Sequence, residues 1–101
     1  MGLFVLLGRD GPNTAELRQR TRASHLEHLA KPAGDGRVVH AGPLLDPAGL
    51  PVGSLIVLEA ESLEAARALA AHDPYVTSGV FQTLEVLETR AVLGDRAKRE
   101  S

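Results

Sequence analysis

Arg18, Arg22 and His25 recur at the three- and four-residue spacing that aligns side chains along one face of a helix, and Leu29 continues the row. An imidazole gives and takes protons near neutral pH, and a guanidinium holds carboxylate, phosphate or enolate oxygens. Such a row could move a proton while fixing an anion. A second candidate lies far along the chain, where Asp73 precedes Pro74 and Tyr75, the single tyrosine. An acid where a helix ends opposes the helix dipole, so Asp73 calls for a cationic partner, and His25 or Arg22 could supply it.

Two accounts of the row stand side by side. At about 100° per residue, Glu16, Arg20, Glu27 and Lys31 form the polar back of the helix, and Ala15 and Leu26 flank the basic row. In the structural account Arg18 and Arg22 lay their methylene stems across the core and turn their heads outward, while His25 is a hydrogen-bonded, half-buried histidine. In the functional account the three residues line a polar pocket in which Arg22, with Arg18, grips an anionic group and His25 transfers a proton. Unpaired charge at a buried face is costly, and a pocket relieves that cost.

Other constellations carry less. His25 and His28 have H-x-x-H spacing, yet the wheel turns His28 away and no H-E-x-x-H pattern occurs, so no metal is expected. His40, between Val39 and Ala41, could be an inward polar residue of a strand, and His72 suits a helix C-terminus. Ser54 lacks the nucleophile-elbow glycines, and Ser24 points away from the row, so serine hydrolysis has little support. Neither a Walker nor a Rossmann glycine pattern is present, and no cofactor is expected.

The elements that must position these residues follow from periodicity and punctuation. Leu3 to Leu7 reads as a strand, and the cluster "RDGPN" as its loop. Asn13 with Glu16 resembles a capping box opening a helix from about Thr14 to Ala30, stopped by Pro32 and Gly34. A second strand runs from Arg37 to Ala41, after which Gly42, Pro43 and "DPAGLPVG" form a loop, and a third runs from Ser54 to Ala60. Ser62 caps a second helix, with Ala66, Leu69 and Ala70 on one face, that ends near Asp73. Gly79 to Glu88 is the fourth strand. The β-α-β-β-α-β order predicts an α+β, ferredoxin-like domain, a four-stranded antiparallel sheet with two helices on one face. "LFVLL" and "LIVL" are apolar throughout, as in strands buried on both faces, and two helices cover one face. A second copy packing sheet to sheet is the expected cover, giving a homodimer.

The 101 residues amount to one domain, residues 1–94, followed by a charged, solvated tail, 95–101. Hydrophobic residues at 44% and charged residues at 24% are those of a globular chain. A net charge of -2 and three aromatic residues argue against nucleic acid as a partner. The absence of cysteine excludes disulfides and thiolate chemistry and suits the cytoplasm. The N-terminal apolar run has no signal-peptide flanks, and no run approaches the roughly 18 apolar residues of a membrane span.

The chain also resembles the YCII-related, or YciI-like, family. The resemblance is carried by Arg18, Arg22, His25 and Leu26 in an R-x-x-x-R-x-x-H-L pattern, by "AGPL" at Ala41 to Leu44, by Gly53-Ser54 opening a strand, and by "ESLEAARALA" and "DPYVTSGVF". These span Leu3 to about Leu87, and their order and spacing are fairly specific. The resemblance implies a dimeric α+β barrel and a catalytic pair at His25 and Asp73. It implies that Arg22, Arg18, Gly42, Pro43, Ser54 and Tyr75 bind a small-molecule substrate. It also implies cofactor-free lyase or isomerase chemistry on a small, anionic or aromatic molecule. A non-catalytic dimeric domain that binds a small ligand or a protein is the other function compatible with the residues. The short loop after "GPLLD" and the strand-four end "LETRAVLGD" depart from the family pattern, and both bear on the pocket mouth.

Overall fold

The computed structural model describes residues 1–97; of the expected tail, 98–101 lie outside the described residues. Four antiparallel strands, β1 (Gly2–Asp10), β2 (Val38–Leu45), β3 (Pro51–Ala60) and β4 (Phe81–Thr89), form one sheet in the order β2-β3-β1-β4. Helices α1 (Ala15–Gly34) and α2 (Leu63–Ala71) are the two connections that make the arrangement ferredoxin-like, and a short α3 (Pro74–Thr77) precedes β4. None of the described helices is long and apolar enough to cross a membrane.

Side chains alternate across β1 and β3. Phe4, Leu6, Ile56 and Leu58 are buried against Leu29, Ala66 and Ala70 of the helices, and this cluster is the core. Leu3, Val5, Leu7, Leu55 and Val57 point to the other face and are only half-buried. Both faces are apolar, as the sequence suggested, but one of them is packed by helices.

Several boundaries differ from the sequence expectation. Asn13 has φ 59, a left-handed conformation that asparagine tolerates, so Thr14 takes the N-cap position instead. Its hydroxyl donates to the Gly11 carbonyl at 2.8 Å rather than capping the helix. Helix α1 also runs through Pro32, which costs the His28 carbonyl its intrahelical partner; burial of the ring in the last turn compensates. Gly42 and Pro43 belong to β2 rather than to a loop. β2 is an edge strand, where a proline without an N–H is tolerated, and Pro43 sits opposite Ser54. The turn to β3 is then only Asp46 to Leu50, where Asp46 Oδ1 accepts from the Ala48 and Leu50 amides at 2.9 and 3.0 Å.

At one point the sheet leaves room for the site. Gly8 of β1 faces the helices, and a Cβ there would collide with the Phe81 ring, which lies across the space the missing side chain leaves.

Candidate functional site

Helix α1 presents its row to the interior much as the wheel indicates. Arg18, His25, Leu29 and Pro32 are buried, while Arg22 stands exposed at the margin. His28, on another face, has Nε2 2.7 Å from the Leu69 carbonyl and shares nothing with His25. His40 is exposed on the uncovered face of the sheet rather than inward. His72 is the C-cap of α2, with Nδ1 2.7 Å from the Ala68 carbonyl.

Asp73 has a second role that the sequence reading missed. It follows α2, but it is also the N-cap of α3, and Oδ1 accepts from the Tyr75 amide at 2.9 Å. Pro74 at the first helical position has the φ that position needs. The tight turn aims the carboxylate at α1, where His25 Nδ1 lies 2.9 Å from Oδ1 and 2.8 Å from Oδ2. Both side chains are buried, at 8% and 4% exposure. A carboxylate only accepts, so Nδ1 carries the hydrogen and donates, which leaves the Nε2 lone pair of a neutral imidazole free for a proton.

Tyr75 links this pair to the arginines. Its ring stacks on His25 with centroids 4.0 Å apart and planes at 17°, and the Arg18 guanidinium carbon lies 4.5 Å from the ring centroid. Arg18 and His25 are two helical turns apart, about 10.5 Å of rise, so the ring fits between them. Phe81 meets Tyr75 edge-on at 5.6 Å.

Arg18 is not free. Nε donates to Asp10 Oδ2 at 2.7 Å, and Nη2 donates to Asp10 Oδ1 at 3.1 Å and to Ser54 Oγ at 2.8 Å. The ion pair is buried, at 9% and 8% exposure. Asp10 is a site residue that the sequence reading missed, since it sits in a cluster that reads as a turn; Arg18, eight residues on in the inward row of the helix, was the available signal.

A recess of about 370 Å³ opens between α1 and the β2–β3 edge. Arg18, Arg22, Ala41, Gly42, Pro43 and Tyr75 are among its lining residues. The volume suits a small ring-sized ligand. His25 lies behind Tyr75 rather than on the lining, and Ser54 is buried beneath Arg18. Of the expected residues, then, Arg18, Arg22, Gly42, Pro43 and Tyr75 share one cavity, while His25 and Asp73 form a pair that touches it through Tyr75. Among the described residues no group of three or more side chains is arranged to hold a metal.

These features define a class: a small ferredoxin-like α+β domain in which a carboxylate-held histidine stands beside a basic recess. The chain belongs to the YCII-related domain family, whose model matches residues 2–90. That family is of the dimeric α+β barrel type. Protein YciI of Escherichia coli is 40% identical over 91 residues, covering 83% of this chain and 92% of that protein. An uncharacterized protein of Haemophilus influenzae is 38% identical over 85 residues, covering 77% and 86% of the two chains. Among solved structures, the 5-chloro-2-hydroxyhydroquinone dehydrochlorinase TftG of Burkholderia phenoliruptrix, in complex with 2,5-dihydroxybenzoquinone, superposes with a TM-score of 0.77. The identity is 26%, and the match covers 87% of this chain and 93% of that one. An antibiotic biosynthesis monooxygenase, at 13% identity and a TM-score of 0.54 over 92% of this chain and 100% of that one, shares the fold alone.

Proposed function

We propose that the protein is a cofactor-independent enzyme of the lyase or isomerase type, acting on a small hydroxylated ring compound. The observation that carries this reading is the buried contact of His25 Nδ1 with both oxygens of Asp73. It fixes the imidazole and stabilises the imidazolium that forms when Nε2 takes a proton. His25 stands behind the Tyr75 ring, so in this reading the substrate reaches past that ring to Nε2, which takes its proton, and the electron pair is delocalised onto a ring oxygen. In an elimination that pair then expels a leaving group as an anion; in an isomerisation the imidazolium returns the proton to another atom. Arg22 balances the negative charge of the intermediate. The likeness to TftG, a dehydrochlorinase solved with a dihydroxybenzoquinone, supports this class of substrate.

The reading also takes the working unit to be a homodimer, joined through the sheet faces that bear Val5 and Val57, and the address to be the cytoplasm. The half-exposed apolar rows of that face and the family's barrel type support the dimer, and the lack of cysteine agrees with the address.

Turnover of a panel of chlorinated and unsubstituted hydroxyhydroquinones tests the mechanism. His25→Ala is expected to lower it by about 100-fold or more, and Asp73→Asn, which keeps a capping side chain, by less. Circular dichroism spectra should match the wild type. Undiminished turnover in His25→Ala removes the proposal.

A further inference from the structure

Tyr75 is 2% exposed, yet its hydroxyl accepts from and donates to none of the described residues. It is not sealed off either, because Arg37 Nε is the one side-chain polar atom among them that is both buried and unpartnered. The hydroxyl therefore keeps some access to solvent, and Tyr75 is a lining residue of the recess. A phenol with so little exposure meets few waters, and an oxygen arriving in the recess supplies a fixed hydrogen-bond partner in their place.

The charges around it are specific. Burial raises the Tyr75 pKa above the ordinary 10.0; Arg18 and Arg22 pull it down, and Asp73 and Asp10 push it up. Near neutral pH the group is therefore an uncharged O–H donor. Arg18 offers little to a ligand, since Asp10 neutralises it and Ser54 takes a further bond. Arg22 is different: it lines the same recess, and none of the ion pairs among the described residues includes it. The recess thus combines one neutral donor, one uncompensated cation and the apolar walls of Leu26 and Pro43.

We propose that Tyr75 Oη and the Arg22 guanidinium form an oxyanion subsite that binds a ring oxygen of the ligand as phenolate or enolate. The assignment rests on the proton-transfer reading above and names the ligand chemistry of that same site. Tyr75 keeps its proton throughout and donates a hydrogen bond to the oxygen on which negative charge collects; the transferred proton resides on His25. Tyr75 is thereby a catalytic residue that touches substrate, and Arg18 is a positioning residue that acts through the Tyr75 ring.

The test is equilibrium binding of 4-nitrophenol, read by the visible absorbance of its phenolate, beside nitrobenzene, a flat probe without the oxygen. The wild-type protein is expected to bind the phenolate selectively. Tyr75→Phe should weaken phenolate binding by about tenfold or more, as should Arg22→Gln, with nitrobenzene binding unchanged in both. Arg22 is exposed on α1, so its variant carries the test even where Tyr75→Phe disturbs packing. No phenolate preference in the wild type, or equal loss of both probes in Arg22→Gln, overturns the subsite. Inactive His25→Ala beside unchanged phenolate binding in Tyr75→Phe and Arg22→Gln would sink this assignment alone. Active His25→Ala beside selective phenolate loss in those two variants would sink the mechanism and leave the subsite standing.

Discussion

Asp10 sets the charge balance of the recess. It ends β1, where its carboxylate receives Arg18 Nε and Nη2, and this buried pair is completed by Ser54 on β3. Burying a guanidinium is tolerable only while its donors are matched. Removing the acid leaves the arginine charged beside the core and beside Tyr75. Asp10→Ala is therefore expected to cost about 3 kcal/mol of stability in urea denaturation. Adding Arg18→Met should recover much of that loss, because it removes the stranded charge as well. A cost below about 1 kcal/mol in the single variant would mean that solvent satisfies Arg18. An arginine held this firmly braces the Tyr75 ring, while Arg22 stays outside the ion pairs of the described residues.

At the scale of elements, the site depends on how α3 and β4 enter the sheet. Phe81 begins β4 and occupies the space beside Gly8, and its ring packs against Tyr75 in a T-shaped contact. A methyl group at position 8 would drive into Phe81. Gly8→Ala should thus lose about 1–3 kcal/mol of stability, and in a thermodynamic cycle with Phe81→Leu the two losses should fall short of additivity. Strict additivity would show that Phe81 moves aside at no cost. Such a contact pairs residues 73 positions apart, and nothing local in the sequence announces it. What was legible was periodic or punctuated: the order of strands and helices, the Ser62 cap, the face of α2 and the row on α1. The extent of β2 was not, because Gly42 and Pro43 signal a turn wherever an edge position is unknown. The four-residue α3 was hidden for a similar reason, since Pro74 reads equally as the end of one helix and the start of another. Asp73 consequently looked like an acid at the wrong end of a helix, although it is an acid at the right end of the next one.

At the scale of the molecule, the sheet has one packed face and one open face. Across the open face Leu87, Val5, Val57 and His40 form a row in register, and Glu85, Leu7, Leu55 and Gly42 form the row beside it, with Glu85 at its β4 end. A second copy laid on these rows would remove them from water, and a stable pair needs roughly 800 Å² from each partner. Leu87 is the informative position, because it is 53% exposed in the single chain and contributes little to that chain's own core. Leu87→Glu should leave the fold and the His25–Asp73 contact intact while placing a charge inside the joint. Sedimentation equilibrium is expected to give twice the 10.7 kDa chain mass for the wild type and a shift toward the single-chain mass for the variant. A wild-type protein that sediments as a single chain at high concentration removes the dimer. An unshifted Leu87→Glu dimer would place the joint elsewhere. The recess lies on the helix side of the β2–β3 edge, away from the open face, so ligand binding should survive dissociation.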